Sequence, residues 1–138
     1  MSGPSKLLDG TLSESNGNIL SPTGRRFIPL TYHPTGPRTL YANTPDPETG
    51  TLTKKRTFFT NDQRDPDGLK VDTSNIMWTA SGKGVDVIDP LGNLLGKIQT
   101  NFTLTDLFFT GEKLRDLWMF MSLPYLLLLS IVILECLH

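Results

Sequence analysis

Cysteine is nearly absent: Cys136 stands alone in the chain, which excludes an intramolecular disulfide and a zinc-ribbon cluster. Histidine is almost as scarce. Neither His33 nor His138 has a Cys, His or carboxylate partner at metal-ligand spacing, so neither is a candidate catalyst. Charge of one sign is not in excess either. A formal net charge of -1 supplies no basic field for nucleic acid and no acidic composition that would argue for disorder. The opening stretch, Met1 to Gly10, lacks the apolar core of a secretory signal, which favours a cytoplasmic chain. The sequon Asn101-Phe-Thr103 therefore matters only if this region reaches a secretory lumen. Amphipathic helical stretches of ordinary length are missing as well. With 138 residues, the chain has room for one modest domain.

Charge is missing locally in one place. Charged residues recur from Lys6 to Asp116, whereas the run from Leu117 to Leu134, LWMFMSLPYLLLLSIVIL, carries none. That length just reaches what a membrane-spanning helix requires. Lys113 and Arg115 precede it, a flank that favours a cytoplasmic N-terminal portion if the segment spans. Pro124 inside the run and Glu135 at its end count against a span. Two readings stand: an apolar, helical and transmembrane tail over 117–137, or a buried strand at Leu117–Met121 followed by an apolar extension.

What is present elsewhere is strand and turn. Turn signals arrive at short intervals at Ser21–Gly24, His33–Pro37, Pro45–Gly50, Asp65–Gly68, Ser81–Gly84 and Asp89–Gly92. Between them lie short β-branched and aromatic runs: Thr39–Ala42, Arg56–Thr60, Ile76–Thr79 and Gly84–Asp89, the last alternating apolar with polar. The class is all-β. Three segments share one plan, a polar residue opening a strand, a tight turn and a second strand. They begin at Asn16, Asp67 and Asp106 and end near Ile28, Trp78 and Trp118. A repeat of about 40–50 residues built from short strands predicts propeller blades, with the residue opening each innermost strand pointing toward a central channel. Asn16, Asp67 and Asp106 would then converge, and gathered oxygens suit a hard divalent cation.

These residues carry a resemblance. Ser15-Asn16-Gly17, Asp46–Gly50, Pro66-Asp67-Gly68-Leu-Lys-Val-Asp72 and Trp78–Asn93, in that order, resemble the C-terminal part of the gluconolactonase family, the senescence-marker-protein-type lactonases, and in particular their fungal members. The match runs from about Ser15 to Met121. It implies a segment, about two blades, of a six-bladed β-propeller that binds one divalent metal, Ca, Zn or Mg, in its channel. It also implies hydrolysis of sugar lactones, with Asn16 and Asp67 as metal ligands and Asp67 as general base. Metal polarisation of the lactone carbonyl is Lewis-acid catalysis, and a neighbouring cation keeps such a carboxylate ionised.

The departures shape the rest of the expectation. The family's first-blade glutamate has no counterpart here, and Glu14 lies in the wrong place. Two ligands are too few for calcium or magnesium. The expected organisation is a flexible segment over 1–14, a partial propeller over 15–121 and the apolar tail over 117–137. Such a piece would be a degenerate or truncated member of the family, not active alone and prone to self-association through open blade edges. The competing reading is a membrane-anchored, non-catalytic β protein that binds a partner through its strands. Of the remaining residues, Gly82-Lys-Gly84 reads as a turn rather than a phosphate loop, and Lys54-Lys-Arg56 as a solvated strand face. Asp72, Asp86 and Asp89 read as turn and edge aspartates, and Trp78 and Trp118 as inter-blade packing.

Overall fold

A computed structural model describes residues 15–31, 38–61, 66–123 and 126–132. The segment 1–14, the turn signal at His33–Pro37, and residues 124–125 and 133–138 lie outside the described residues.

Eleven strands form three antiparallel sheets. Sheet 1 runs in the order β1 (Ser15–Leu20), β2 (Phe27–Thr31), β3 (Arg38–Pro45) and β4 (Leu52–Asn61). Sheet 2 repeats the plan with β5 (Pro66–Val71), β6 (Met77–Ser81), β7 (Gly84–Ile88) and β8 (Leu94–Gln99). Sheet 3 holds β9 (Leu104–Thr110), β10 (Asp116–Leu123) and β11 (Leu126–Val132), with one 3₁₀ turn at Glu112–Leu114 between the first two. Every pairing is between neighbours in sequence, so each sheet is a meander. The opening strands face one another, with β5 between β1 and β9.

The turns are set by local chemistry. Asp46 Oδ1 accepts from Glu48 N, Thr49 N and the Thr49 hydroxyl, and Gly50 closes the turn at φ 68°. Asp89 Oδ1 accepts from Leu91 N and Asn93 N, Oδ2 accepts from Asn93 Nδ2, and Gly92 supplies φ 100°. Asp72 does the same for Ser74 N and Ile76 N, while its Oδ2 takes the Trp78 indole N–H.

Two apolar cores separate the three sheets. Ile28, Leu40, Ala42 and Phe58 of sheet 1 pack against Leu69, Met77 and Ile88 of sheet 2. On the opposite face of sheet 2, Ala80 and Val85 pack against Leu104, Leu107, Leu117 and Met119 of sheet 3. Trp78 joins this second core, its ring edge-on to Phe109 at 5.7 Å, which is inter-sheet packing as expected. Across the sheet 1–sheet 2 contact, Asn61 Nδ2 donates to Ser81 Oγ at 2.9 Å and to Asp86 Oδ2 at 2.8 Å. Lys97 Nζ lies 3.3 Å from the other Asp86 oxygen. Asp86 is 3% exposed, so the edge reading of this aspartate is corrected: strand alternation turns it inward, where an amide and an ammonium satisfy it.

The apolar tail is also corrected. Residues 117–123 and 126–132 are not helical; they pair as antiparallel strands, from Leu117↔Val132 to Leu123↔Leu126. Each half of the run has strand length, and proline at 124 disfavours a helix continuing across it. β10 sits between β9 and β11, so an uncharged sequence suits a strand paired on both edges. No helix among the described residues is long and apolar enough to cross a membrane. The shorter strand expected at Leu117–Met121 lies within β10.

Candidate functional site

Of the Asp65–Gly68 turn signal, Asp65 lies outside the described residues, and Pro66, Asp67 and Gly68 are not a turn but open strand β5. They do so irregularly. Pro66 pairs with Ser81 and Leu69 with Thr79, so two residues, Asp67 and Gly68, oppose Ala80 alone. This is a β-bulge, a device that re-aims side chains and is common beside functional sites. β1 carries the same irregularity. Ser15 pairs with Thr31 and Asn18 with Pro29, leaving Asn16 and Gly17 opposite Leu30. Asn16 and Asp67 therefore occupy corresponding bulge positions on adjacent opening strands.

The glycine of the motif has its own physical reason. A Cβ on Gly68 would run into the Asp106 backbone and carboxylate of β9. Only glycine lets β5 and β9 approach this closely. The close approach brings the Asp67 position of β5 alongside the start of β9. Asp67 itself is half-buried.

The third strand departs from the expected register. On β9, Leu104 pairs with Met121 and Asp106 with Phe120, so the extra residue is Thr105. Leu69 and Leu107 both point into a core, while Lys70 and Phe108 pair with Trp78 and Trp118. That alignment sets Thr105 level with Asn16 and Asp67, and Asp106 level with Gly17 and Gly68. Asp106 is occupied elsewhere: its Oδ1 accepts from Lys70 Nζ at 3.0 Å and from Leu107 N at 2.8 Å. The plan from Asp106 to Trp118 misplaced the position, because the β9–β10 hairpin runs two pairs beyond Phe108↔Trp118, to Thr110↔Asp116, whereas the β5–β6 hairpin runs one pair beyond Lys70↔Trp78. Matching the paired leucines and tryptophans instead finds Thr105, a residue the acidic pattern missed.

The three bulge positions thus offer an asparagine, a carboxylate and a hydroxyl. Such donors suit a hard, oxygen-seeking cation in kind. In number they fall short of the six to eight oxygens such an ion takes. No group of three or more His, Cys, Asp or Glu among the described residues could hold a metal ion.

Comparison with known proteins gives the arrangement its context. Residues 2–122 match the model of the SMP-30/gluconolactonase/LRE-like region. The lactonohydrolase oryH of Aspergillus oryzae is 40% identical over 89 residues, covering 64% of this chain and 19% of the relative. The lactonohydrolase oryL of the same organism is 30% identical over 132 residues, covering 81% of this chain and 30% of the relative. Among solved structures, a gluconolactonase from Xanthomonas campestris superposes with a TM-score of 0.73 at 28% identity, over 88% of this chain and 39% of that one. A calcium-binding regucalcin from Agrobacterium tumefaciens superposes at 0.72 and 23% identity, over 86% of this chain and 41% of that one. The three sheets are thus blades of a β-propeller, and the chain spans about two-fifths of the length of these solved relatives. With the family model covering most of its length, this chain belongs to the SMP-30/gluconolactonase/LRE-like family.

Proposed function

We propose that this chain is part of a sugar-lactone hydrolase, with Asn16 and Asp67 serving one end of a divalent-metal site and Asp67 serving as general base. The observation that carries the reading is the repeated bulge, which sets these two residues level on neighbouring inner strands. Corresponding positions on adjacent blades converge on the propeller axis. When bound, a divalent cation supplies Lewis-acid polarisation of the lactone carbonyl. The work of this chain's residues is then to hold and to take a proton. The Asp67 carboxylate removes the proton from the attacking water, and the Asn16 position contributes a neutral oxygen that coordinates without adding charge.

The Aspergillus lactonohydrolases and the Xanthomonas gluconolactonase support lactone as the substrate class, and the calcium-binding regucalcin supports calcium as the first cation to test. Because donors are few, the 138-residue polypeptide on its own is expected to bind the ion weakly and to turn over little lactone.

The test is calorimetric titration of the full chain with Ca²⁺, Mg²⁺ and Zn²⁺, repeated on Asp67→Asn. Saturable binding that weakens by about tenfold or more in Asp67→Asn supports the reading; tenfold corresponds to roughly 1.4 kcal/mol. Binding that is absent, or indifferent to Asp67→Asn, overturns it.

A further inference from the structure

At the ends of the strands remote from Asp67, three turns of two blades enclose an open cleft of about 230 Å³ lined by Ser21, Thr23, Arg25, Arg26, Asn75 and Pro90. Ser21 to Arg26 belong to the β1–β2 turn of sheet 1, whereas Asn75 and Pro90 come from the β5–β6 and β7–β8 turns of sheet 2. The cleft is therefore a product of blade packing.

Its polar groups are held in place. Arg26 Nη1 donates to Pro90 O at 2.5 Å, pinning the guanidinium across the blade boundary. Arg26 N donates to Ser21 Oγ at 3.0 Å, and that hydroxyl lies 3.3 Å from Thr23 Oγ1. Ser21 is buried while Arg25 is exposed at the rim. A guanidinium carries five N–H donors, and the bond to Pro90 uses one of them. No carboxylate among the described residues pairs with Arg25 or Arg26.

Two carboxylates of the same turns as Asn75 and Pro90, Asp72 and Asp89, are engaged by groups of their own turns. Asp72 accepts from Ser74 N, Ile76 N and the Trp78 indole, and Asp89 accepts from Leu91 N and both Asn93 groups. Their charge is met by the dipoles of their own turns and not by the arginines. The residues that line the cleft thus include two arginines, a serine, a threonine and an asparagine, and no carboxylate.

We propose that this cleft is a phosphate-recognition site, separate from the metal position and on the opposite end of the blades. Adjacent arginines with hydroxyl donors match a tetrahedral oxyanion, which the guanidinium fork engages with paired, charge-assisted hydrogen bonds. The ligand class is inorganic phosphate or the phosphate of a small phosphomonoester. The near-zero net charge and the small size of the cleft do not suit a polyanion.

The test is titration of the full chain at low ionic strength with inorganic phosphate, with a hexose 6-phosphate and with the unphosphorylated hexose. Saturable phosphate binding that falls by about tenfold in Arg25→Gln, and weakens with added NaCl, supports the site. Tighter binding of the hexose phosphate than of inorganic phosphate, with none of the free hexose, assigns the phosphomonoester; the reverse order assigns free phosphate. Arg25 is exposed and makes no hydrogen bond or ion pair among the described residues, so Arg25→Gln should retain the wild-type circular dichroism and melting temperature. Arg26→Lys, which keeps the charge but loses the fork, should also weaken binding. Absence of phosphate binding overturns the proposal, as does binding unchanged in both variants or matched by chloride at equal ionic strength.

Discussion

Asp86 shows how much one residue can be asked to do in a blade interface. Its two oxygens bind the Asn61 amide of sheet 1 and the Lys97 ammonium of sheet 2 in a place where water does not reach the carboxylate. Replacing it with alanine removes one buried acceptor from the Asn61 amide and the carboxylate that faces the Lys97 ammonium. Asp86→Ala is expected to lower stability by about 1–3 kcal/mol in chemical denaturation. Asp86→Asn, which keeps an acceptor, should lose less. The exposed turn aspartates act differently. Asp89 is held below the ordinary carboxyl value of 3.8, first by the Asn93 side chain and then by its backbone N–H. Asp46 is lowered from the same value by the Thr49 backbone N–H, then by its hydroxyl. A depressed folded-state pKa stabilises the fold above the unfolded value, and that contribution disappears as pH falls through the folded value. The melting temperature should therefore drop on going from about pH 5 to about pH 3, and the double variant Asp46→Asn, Asp89→Asn should flatten that limb. An unchanged acid limb in the double variant would place the sensitivity in other carboxylates.

At the scale of the element, the bulged opening strand is the working part. Sequence showed that Asn16-Gly17 and Asp67-Gly68 are related, since an oxygen-bearing residue followed by glycine is a compact local pattern. It did not show that the second is strand, because Pro-Asp-Gly is also the composition of a turn. The choice falls to pairing: only when Pro66 meets Ser81 and Leu69 meets Thr79 does the motif become a bulge. Thr105 was illegible for the same reason, since its bulge has a hydroxyl in place of the amide or carboxylate and Asp106 in place of the glycine. Of the two readings of the apolar run, the helical one failed and the strand at Leu117–Met121 held within β10, because composition cannot distinguish one long helix from two strands that pair with each other. The strands at Thr39–Ala42, Arg56–Thr60 and Gly84–Asp89 were legible because each alternates or is dense in β-branched and aromatic residues. Glycine 68 gives the element a direct test. Gly68→Ala places a methyl against the Asp106 backbone, so β5 and β9 must separate. The variant should lower the melting temperature by several degrees, more than Gly96→Ala, where nothing lies within 4 Å of the added carbon.

At the largest scale, the described residues form a row of blades in which sheet 2 is shared. Sheet 2 gives Leu69, Met77 and Ile88 to the core with sheet 1, and Ala80, Val85 and Trp78 to the core with sheet 3. Alternation along its strands makes this possible, since neighbouring residues of one strand face opposite blades. In such a row each blade depends on its neighbours, and a blade buried on one side alone leaves an apolar face in water. Damage to either core should then be felt across the set. Leu40→Ala acts in the first core and Leu117→Ala in the second, both at fully buried side chains, and each should cost about 2–5 kcal/mol. Indole fluorescence reports chiefly on sheets 2 and 3, where Trp78 and Trp118 lie, whereas far-ultraviolet circular dichroism reports on all strands. If sheet 2 couples the cores, the two transitions remain coincident in Leu40→Ala and shift together. If instead Leu40→Ala moves the dichroism transition and leaves the fluorescence transition in place, sheet 1 unfolds by itself. Asn16 would then part from Asp67 whenever it did so, and the two bulges could not serve one metal site under those conditions.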